Sequence, residues 1–432
     1  AFQEIPMTRA GTGPIPWTSS PRNIPGATPG AILTGTALSA AIATLCMAFF
    51  ANYPVALASG MGLNAFFAFT VCGAMGIPYS VALTSILIEG IIFALLSLCK
   101  FREALINQIP ANLKFGITAG IGLFITIIAM INAGIVINND ATLVGIGDFG
   151  SPQFVLSIVG LLVIGVLYLF KVPGSILLGI LITWVFGIFA ELGGWYVVDI
   201  ENGVYSLIPS FSNGFNIEAP VFCNFDFSYI TANLSTFLVV MFTFLYTDIF
   251  DTVGTLIGVA EKGNLLNEKG ELPNATGALM ADAVGTCVGA ALGVSTVTSY
   301  VESSAGVSAG GRTGLASVVT ALLFLVSIVF SPIFLAIPSF ATAPAMMFVG
   351  LLMLGSIKNV DFDSDIADTL GAFAAIVFMP LTYSIANGIM FGMLTWVILK
   401  VITGKVKDVK PVMWVTTALF AIYFVLKFMG IM

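Results

Sequence analysis

Residues 293–316, GVSTVTSYVESSAGVSAGGRTGLA, decide the fold because they place a carboxylate among small polar residues in an otherwise apolar chain. The first part, GVSTVTSYV, is rich in Thr, Val and Tyr, which favour an extended backbone. The residues after Glu302 are small and suit a short helix in close contact with its neighbours. An extended segment leading into a half-helix is tolerated at membrane depth only where it is buried in protein or lines a wet cavity. In proteins that move solutes across membranes, such segments bind the substrate.

A second interpretation of this stretch is a tight helix-packing face, since Gly, Ser and Ala line many contacts between membrane helices. Glu302 favours the first interpretation, because a carboxylate inside a membrane span costs about 2.5–3.5 kcal/mol on insertion scales. Residues of this kind are rare in membrane spans and mark functional sites. We therefore take Glu302 as the first candidate for a substrate-binding residue.

The composition indicates a polytopic membrane protein. Of the 432 residues, 58% are hydrophobic and 9% are charged, whereas soluble domains carry about 25% charged residues. The apolar runs are long and uniform, which predicts membrane-spanning helices. The chain has no histidine and its five cysteines lack CxxC spacing, so zinc and haem sites are not expected and no cofactor is implied. The net charge of −7 gives no indication of a nucleic-acid partner.

Apolar segments that predict helices follow one another from residue 31 onward. They lie near 31–51, 60–73, 78–99, 112–133, 152–170, 173–191, 231–260, 275–292, 302–312, 314–335, 343–357, 366–380, 384–402 and 411–430. Three of them, 60–73, 302–312 and 366–380, are too short to cross about 30 Å of hydrocarbon alone. Residues 1–30 are rich in Pro, Gly, Ser and Thr, so we expect an irregular segment there.

The two halves of the chain contain a matching pair of short segments. NYPVALASGMGLNAFF, at 52–67, leads from an extended piece with a proline into a short helix near Gly60, as the stretch around Glu302 does about 240 residues later. Short spans interrupted by glycine, in corresponding positions of two inverted halves, are typical of secondary transporters. The same offset applied to the 231–260 helix points to the N-terminal residues, which are not apolar. We therefore expect the first half to lack a counterpart of that helix.

A second group of candidate residues lies in FLYTDIFDTVGTLIG, at 244–258. Asp248, Asp251 and Thr255 fall on one face of a helix there. Two carboxylates on one face of a membrane span are hard to explain by packing alone. For Asp248 an alternative is simple hydration close to the membrane surface.

Other polar residues of the apolar segments leave two interpretations open. Glu89 and Asp282 are acids for which we prefer a structural role as satisfied polar groups in helix contacts. Asn64 opens the first half-helix and lies opposite Glu302 in the repeat, so we favour a ligand role over a helix cap. Two hydroxyl residues beside Glu302 join the substrate-binding candidates: Thr298 and Ser303.

Four longer stretches match one family in sequence and order. They are ANYPVALASGMGLNAFFAFT (51–70), FTFLYTDIFDTVGTLIGVAEKG (242–263), ADAVGTCVGAALGVSTVTSYVESSAGVSAGGRTG (281–314) and FMPLTYSIANGIMFG (378–392). They resemble the signature stretches of the AzgA-like purine permeases of the nucleobase/cation symporter superfamily (NCS2, xanthine/uracil permeases). The resemblance extends over residues 31–432, whereas residues 1–30 do not resemble the family's apolar first span.

This resemblance implies the uracil-permease fold, an all-α polytopic membrane protein with fourteen spans in two inverted sevens. Short β-strands would precede half-helices in spans three and ten, between which the substrate would bind. The implied division is a core domain formed by 31–110 and 231–340, and a gate domain formed by 111–230 and 341–432. A homodimer through the gate domain is also expected from the family.

The resemblance further implies proton-coupled uptake of a purine nucleobase such as adenine, guanine or hypoxanthine across the cell membrane, and not an enzyme activity. By motif, the acid of span eight falls on Asp251, that of span ten on Glu302, and the polar residue of span three on Asn64. Because the chain has no histidine, any proton relay must use carboxylates, and we assign it to Asp251 and Glu302, with Asp248 as a further candidate.

A purine offers ring N–H donors that suit carboxylate acceptors and a planar ring that suits an aromatic face. Phe66 and Phe250 are the aromatic candidates. The alternatives are a uracil or xanthine permease and an anion transporter of the same fold, although acids at both Asp251 and Glu302 argue against an anionic substrate. A receptor or membrane enzyme has no support from a nucleophile placed beside a base.

Overall fold

The computed structural model describes residues 28–60, 63–64, 66–99, 101–139, 141–199, 204–209, 217–268, 271–363 and 365–428. The irregular segment expected at residues 1–30 lies outside these residues except for its last three. The described chain begins at the cap of the first helix, where the Thr28 side chain accepts a hydrogen bond from the Ala31 N–H and Pro29 occupies the first turn. Both residue types are favoured at these helix positions.

The elements of the first half, in chain order, are helices with three short strands between them. They are α1 (Pro29–Phe50), β1 (Leu57–Ser59), the π-helical α2 (Phe66–Ala74), α3 (Tyr79–Leu98), α4 (Phe101–Gln108), α5 (Ala111–Asn132), β2 (Val136–Asn139), β3 (Leu143–Ile146), α6 (Pro152–Leu169) and α7 (Ser175–Leu192). The antiparallel β2–β3 hairpin was not predicted from the sequence, which indicated only a loop between α5 and α6.

The second half repeats this order of a strand and a short helix among long helices. Its elements are α8 (Ser228–Ala232), α9 (Leu234–Lys262), α10 (Ala275–Ala291), β4 (Val297–Ser299), α11 (Ser303–Ser308), α12 (Gly314–Val329), α13 (Ser331–Ala336), α14 (Ser339–Leu354), α15 (Ile366–Thr382), α16 (Ile385–Ile402) and α17 (Pro411–Phe428). The single helix predicted over 314–335 is divided into α12 and α13 by a break at Phe330.

Eight helices of the described residues are long and apolar enough to cross a membrane: α1, α3, α5, α6, α7, α9, α16 and α14 with the turn that follows it. Four shorter apolar helices accompany them. The prediction of a multi-pass helical membrane protein is therefore confirmed. The predicted strands before half-helices are also present, as β1 before α2 and β4 before α11.

The chain divides into two compact units. The described residues of the first unit fall within 125–216 and 329–351. Its interior is held by apolar contacts and by a hydrogen bond from the buried Ser157 hydroxyl to the Phe340 carbonyl at 3.0 Å.

The second unit comprises 26–124, 217–328 and 352–432 and contains β1 and β4. The small residues of α10 let the strands approach it closely. A Cβ atom added at Gly289 would lie 2.7 Å from the Val297 side chain of β4, and one added at Gly285 would lie 2.7 Å from Ala43 of α1. These glycines are therefore needed for the contact between helix and strand.

Candidate substrate-binding site

β1 and β4 pair as an antiparallel two-stranded sheet in the interior of the second unit. The register sets Leu57 opposite Ser299 and Ser59 opposite Val297, and every residue of both strands is buried. A backbone group at the end of the strand pairing is hydrogen-bonded by a side chain: the Tyr300 hydroxyl donates to the Ser59 backbone carbonyl at 2.7 Å. Extended backbone at membrane depth is thus paired or hydrogen-bonded inside the protein, as the absence of water there requires.

Glu302 occupies the position where the extended segment ends and α11 begins. Its side chain is half-buried, and its carboxylate accepts no hydrogen bond from another described residue. No lysine or arginine of the described chain forms an ion pair with it. The carboxylate is therefore available for a ligand.

Asp282 anchors β4 to the neighbouring helices. One carboxylate oxygen accepts the Ser299 backbone N–H at 3.0 Å, and the other accepts the Thr252 hydroxyl of α9 at 2.6 Å. The Thr252 oxygen in turn lies 2.8 Å from the Thr298 hydroxyl of β4. Since the Thr252 proton is directed at the carboxylate, Thr298 is the donor in the second contact. The Asp282 carboxylate thus has specific hydrogen-bond partners, which agrees with the structural role that we preferred for it. Thr252 belongs to this network although the sequence did not indicate it.

The two predicted acids are close in sequence to residues of this network. Asp251 directly precedes Thr252 of α9, and Glu302 follows Thr298 of β4 by four residues. The Oδ1 atom of Asp251 is buried without a hydrogen-bond partner among the described residues. Asp248, one turn earlier on α9, is fully buried.

Three other candidate residues form hydrogen bonds within the protein. The side-chain oxygen Oδ1 of Asn64 accepts a hydrogen bond from the Ser295 hydroxyl, and its side-chain Nδ2 lies 3.5 Å from the Ser59 backbone carbonyl. The Ser303 hydroxyl oxygen accepts the Ala56 backbone N–H at 3.0 Å, next to β1. Together with Thr298, these residues hold the two strand–helix segments in place. Their role as substrate ligands stays a prediction.

The two aromatic candidates lie in different clusters. Phe66 meets Phe244 edge-on, with ring centroids 5.0 Å apart. Phe250 packs against Tyr246 at 5.1 Å and against Phe420 of α17 at 4.7 Å. Positions 244 and 250 of an α-helix are about 120° apart around its axis, so the two clusters face different directions from α9.

Comparisons with known proteins agree with this architecture. The transmembrane domain of the cyanobacterial bicarbonate transporter BicA superposes with a TM-score of 0.53 at 17% sequence identity, covering 83% of this chain and 92% of that one. At this identity the likeness shows the fold alone. The fold and the buried, strand-bearing centre define a multi-pass membrane protein with the architecture of the uracil-permease-like transporters.

Sequence comparison then identifies the family. The sequence profile of the Permease family matches residues 23–391, and the chain belongs to that family. A putative permease of Methanocaldococcus jannaschii is 43% identical, with 92% of this chain and 87% of that protein covered. Adenine permease AdeQ of Escherichia coli is 40% identical over 92% of this chain and 86% of its own length. Guanine/hypoxanthine permease PbuG of Bacillus subtilis is 42% identical over 92% and 87%. The predicted family is therefore confirmed.

Proposed function

We propose that this permease takes up a purine nucleobase, adenine, guanine or hypoxanthine, in symport with protons. The observation that carries the proposal is the Glu302 carboxylate, which is held at the junction of β4 and α11 and accepts no hydrogen bond from another described residue. A purine presents ring N–H donors, and an ionised carboxylate accepts such donors without offering competing protons. The names of two relatives, an adenine permease and a guanine/hypoxanthine permease, support this substrate class.

Asp251 is the proposed proton-coupling residue, with Glu302 as its partner and Asp248 as the further candidate. The unpartnered Oδ1 atom of Asp251 supports this assignment, since a buried oxygen without a donor is suited to take a proton. Loss of the proton after transport would reset the site for the next cycle. We further propose that 31–110 with 231–340 form a core that moves against a gate of 111–230 with 341–432, by alternating access, and that the gate forms a homodimer contact.

The test is uptake of radiolabelled adenine, guanine, hypoxanthine, uracil and sulfate into proteoliposomes with and without an imposed pH gradient. We expect concentrative uptake of at least one purine that requires the gradient. Saturable uptake of uracil without purine would favour a uracil or xanthine permease, and uptake of sulfate would favour the anion transporter.

The coupling role is tested by Asp251→Asn, which cannot gain and lose a proton. We expect exchange or facilitated diffusion of purine without accumulation. Asp408→Asn, at a carboxylate whose side chain is 57% exposed, is the matched control and should remain concentrative. An Asp251→Asn protein that still accumulates purine in a pH-dependent way would transfer the role to Asp248.

A further inference from the structure

A cavity of about 350 Å³ lies between α3, α9 and α17, all of which belong to the second unit. It is lined by Ile92 and Leu96 of α3, by a face of α9 that includes Leu245 and Ile249, and by Thr416 and Leu419 of α17. Its volume is far larger than the water-sized voids that protein interiors leave. The cavity is therefore large enough to hold part of a ligand.

The surface of this cavity is entirely apolar. Tyr246 and Thr416 are the lining residues with polar side-chain atoms, and neither presents such an atom to the cavity. The Thr416 hydroxyl lies 3.0 Å from the backbone carbonyls of Val412 and Met413. The Tyr246 ring is stacked on Tyr423, with centroids 4.2 Å apart, and its hydroxyl is buried. A purine or an ordered water would lack hydrogen-bond partners here, so the cavity suits hydrocarbon.

Exposed apolar side chains flank the cavity on α3 and α17. Leu95 directly precedes the lining residue Leu96, and Val415 directly precedes Thr416. Both flanking side chains are exposed. Exposed apolar side chains of membrane-spanning helices lie against lipid tails, which are as apolar as leucine. The cavity therefore borders the lipid phase.

The lining residues lie at the depth of a single leaflet. Ile92 and Leu96 are six and two residues before the end of α3 at Leu98. Leu419 is eight residues after the start of α17 at Pro411. At a rise of about 1.5 Å per residue, these positions are about 3–12 Å from the helix ends. The hydrocarbon of one leaflet is about 15 Å thick, so an acyl chain from that surface reaches the cavity.

The loop that leads into α17 is basic. Residues 403–410, TGKVKDVK, contain three lysines and one aspartate. Lys405 lies 3.0 Å from the Asp365 carboxylate. Lys407 and Lys410 are exposed and form no ion pair with a described residue. Two cationic side chains are thus available at this end of α17.

Both helix ends beside the cavity have the signature of the cytoplasmic surface. Lys100 and Arg102 follow α3 in the sequence, as the lysines of 403–410 precede α17. Lysine and arginine are concentrated in cytoplasmic loops, and tryptophan is enriched at the membrane surface. Trp414, in the first turn of α17, is exposed. The cytoplasmic leaflet carries the anionic lipids that attract such basic segments.

We propose that this cavity binds an acyl chain of an anionic phospholipid of the cytoplasmic leaflet, with Lys407 and Lys410 at its phosphate group. Ile249 and Phe250 line the cavity and directly precede Asp251. The bound chain therefore packs against the turn of α9 that carries the proposed coupling residue. The ligand is a membrane component and not the transported base, whose N–H groups would find no acceptor in the cavity.

The first test compares two lipids that differ in charge. The full chain is reconstituted in phosphatidylethanolamine nanodiscs with a small fraction of phosphatidylglycerol or phosphatidylcholine, each carrying the same photoactivatable acyl chain. Labelled peptides are quantified by mass spectrometry. We expect phosphatidylglycerol to label 92–96 and 416–419 about 30-fold more than phosphatidylcholine, because each of the two lysines contributes about 1 kcal/mol and about 1.4 kcal/mol is tenfold. Equal labelling by the two lipids overturns the proposal.

The headgroup contact is tested by a double variant, Lys407→Gln with Lys410→Gln. We expect it to lose the preference for phosphatidylglycerol at both labelled segments. Lys358→Gln, at another exposed lysine, is the control and should keep the preference. A preference that survives the double substitution overturns the proposal.

The cavity itself is tested by Leu419→Trp, which fills it with a larger ring. Labelling of 92–96 should fall at least about fivefold, because a lipid chain that enters a filled site meets overpacking of about 1 kcal/mol or more. Leu323→Trp, at an exposed leucine of α12, is the matched control and should leave the labelling unchanged. Unchanged labelling in Leu419→Trp, or equal losses in both variants, overturns the proposal. The lysine variants decide the question if Leu419→Trp does not fold.

Addition of excess adenine, guanine or hypoxanthine separates the lipid from the transported base. The label should be unchanged. Loss of the label would make the cavity part of the substrate path and would overturn the lipid site. Labelling by phosphatidylglycerol in a wild type that takes up no purine would leave the lipid site standing while the proposed function fails.

Discussion

Carboxylates occur in two regions of this membrane protein in opposite electrostatic settings. At the junction of strands and helices, Glu302 and Asp251 form no ion pair with a lysine or arginine of the described chain. At the end of the α15–α16 hairpin, Asp365 and Asp368 lie 2.6 and 3.4 Å from the Lys400 ammonium. Glu302 and Asp251 therefore remain available for a ligand or a proton, whereas Asp365 and Asp368 are paired with Lys400.

The presence or absence of a nearby cation distinguishes two kinds of carboxylate within this chain. An ion pair that is largely buried is costly to break by removing one partner, so Asp365 and Asp368 fix the hairpin. A carboxylate at membrane depth without a cation forms no stabilising ion pair. Such a residue marks a site where a proton or ligand binds.

The largest effect is expected from Glu302→Gln, which removes an acceptor charge that has no lysine or arginine partner in the described part of the chain. We expect purine affinity to fall by about 1,000-fold, or about 4 kcal/mol, if two ring N–H groups lose charged partners. Binding of radiolabelled purine to the purified variant measures it. Glu261→Gln is the control, because that carboxylate already accepts the Ser356 hydroxyl; near-normal affinity in Glu302→Gln would remove Glu302 from the site.

The next effect concerns the paired region. Lys400→Met leaves Asp365 and Asp368 without the cation between them, and Lys400 is only 5% exposed. We expect a loss of about 3 kcal/mol in the free energy of unfolding, measured by thermal unfolding in detergent. The matched control, Lys405→Met, removes a side chain that is 51% exposed and should cost less than about 1 kcal/mol. Equal losses would contradict a special role for Lys400.

A smaller effect is expected where the first strand–helix segment contacts the second. Asn64→Ala removes the acceptor of the buried Ser295 hydroxyl, and we expect a stability loss of about 1–3 kcal/mol. Combining it with Ser295→Ala should show a coupling energy of at least about 0.5 kcal/mol. Additive losses would show that this contact is not formed. A loss of purine affinity with unchanged stability would instead make Asn64 a ligand.

The smallest effect is expected on stability when the pH is lowered. Hydrogen bonds from Lys400 and Lys405 hold the pKa of Asp365 well below its usual range. The stability that this carboxylate contributes is therefore complete above its unfolded pKa of about 3.9 and is lost as the pH falls further toward the folded value. Melting temperatures of the wild type and Asp365→Asn should differ at pH 6 and converge on acidification. A difference that is constant down to pH 3 would contradict this.

The sequence predicted those parts of the site that depend on local composition. Thr, Val and Tyr before Glu302 indicated the extended segment that became β4, and the matching stretch before Gly60 indicated β1. Glu302 and Asp251 were identified because carboxylates are conspicuous in apolar helices. In the structure, Thr252 beside Asp251 and Thr298 four residues before Glu302 meet through their hydroxyl groups.

The sequence could not predict which polar groups would meet. Asn64 and Ser295 are bonded although 231 residues separate them, and the Thr252 and Thr298 hydroxyls meet although 46 residues separate them. Neither pairing leaves a periodic pattern, because hydrogen bonds between distant residues depend on how helices cross.

The pairing of β1 with β4 also imposes an order on biosynthesis. At the roughly 5–20 residues per second of translation, β4 follows β1 by about 240 residues, or roughly 12–48 s. During that interval the β1 backbone has no strand partner, and each unsatisfied peptide group in hydrocarbon would cost several kcal/mol. The nascent first half must therefore shelter β1 in a hydrated or protein-lined environment until the second half arrives.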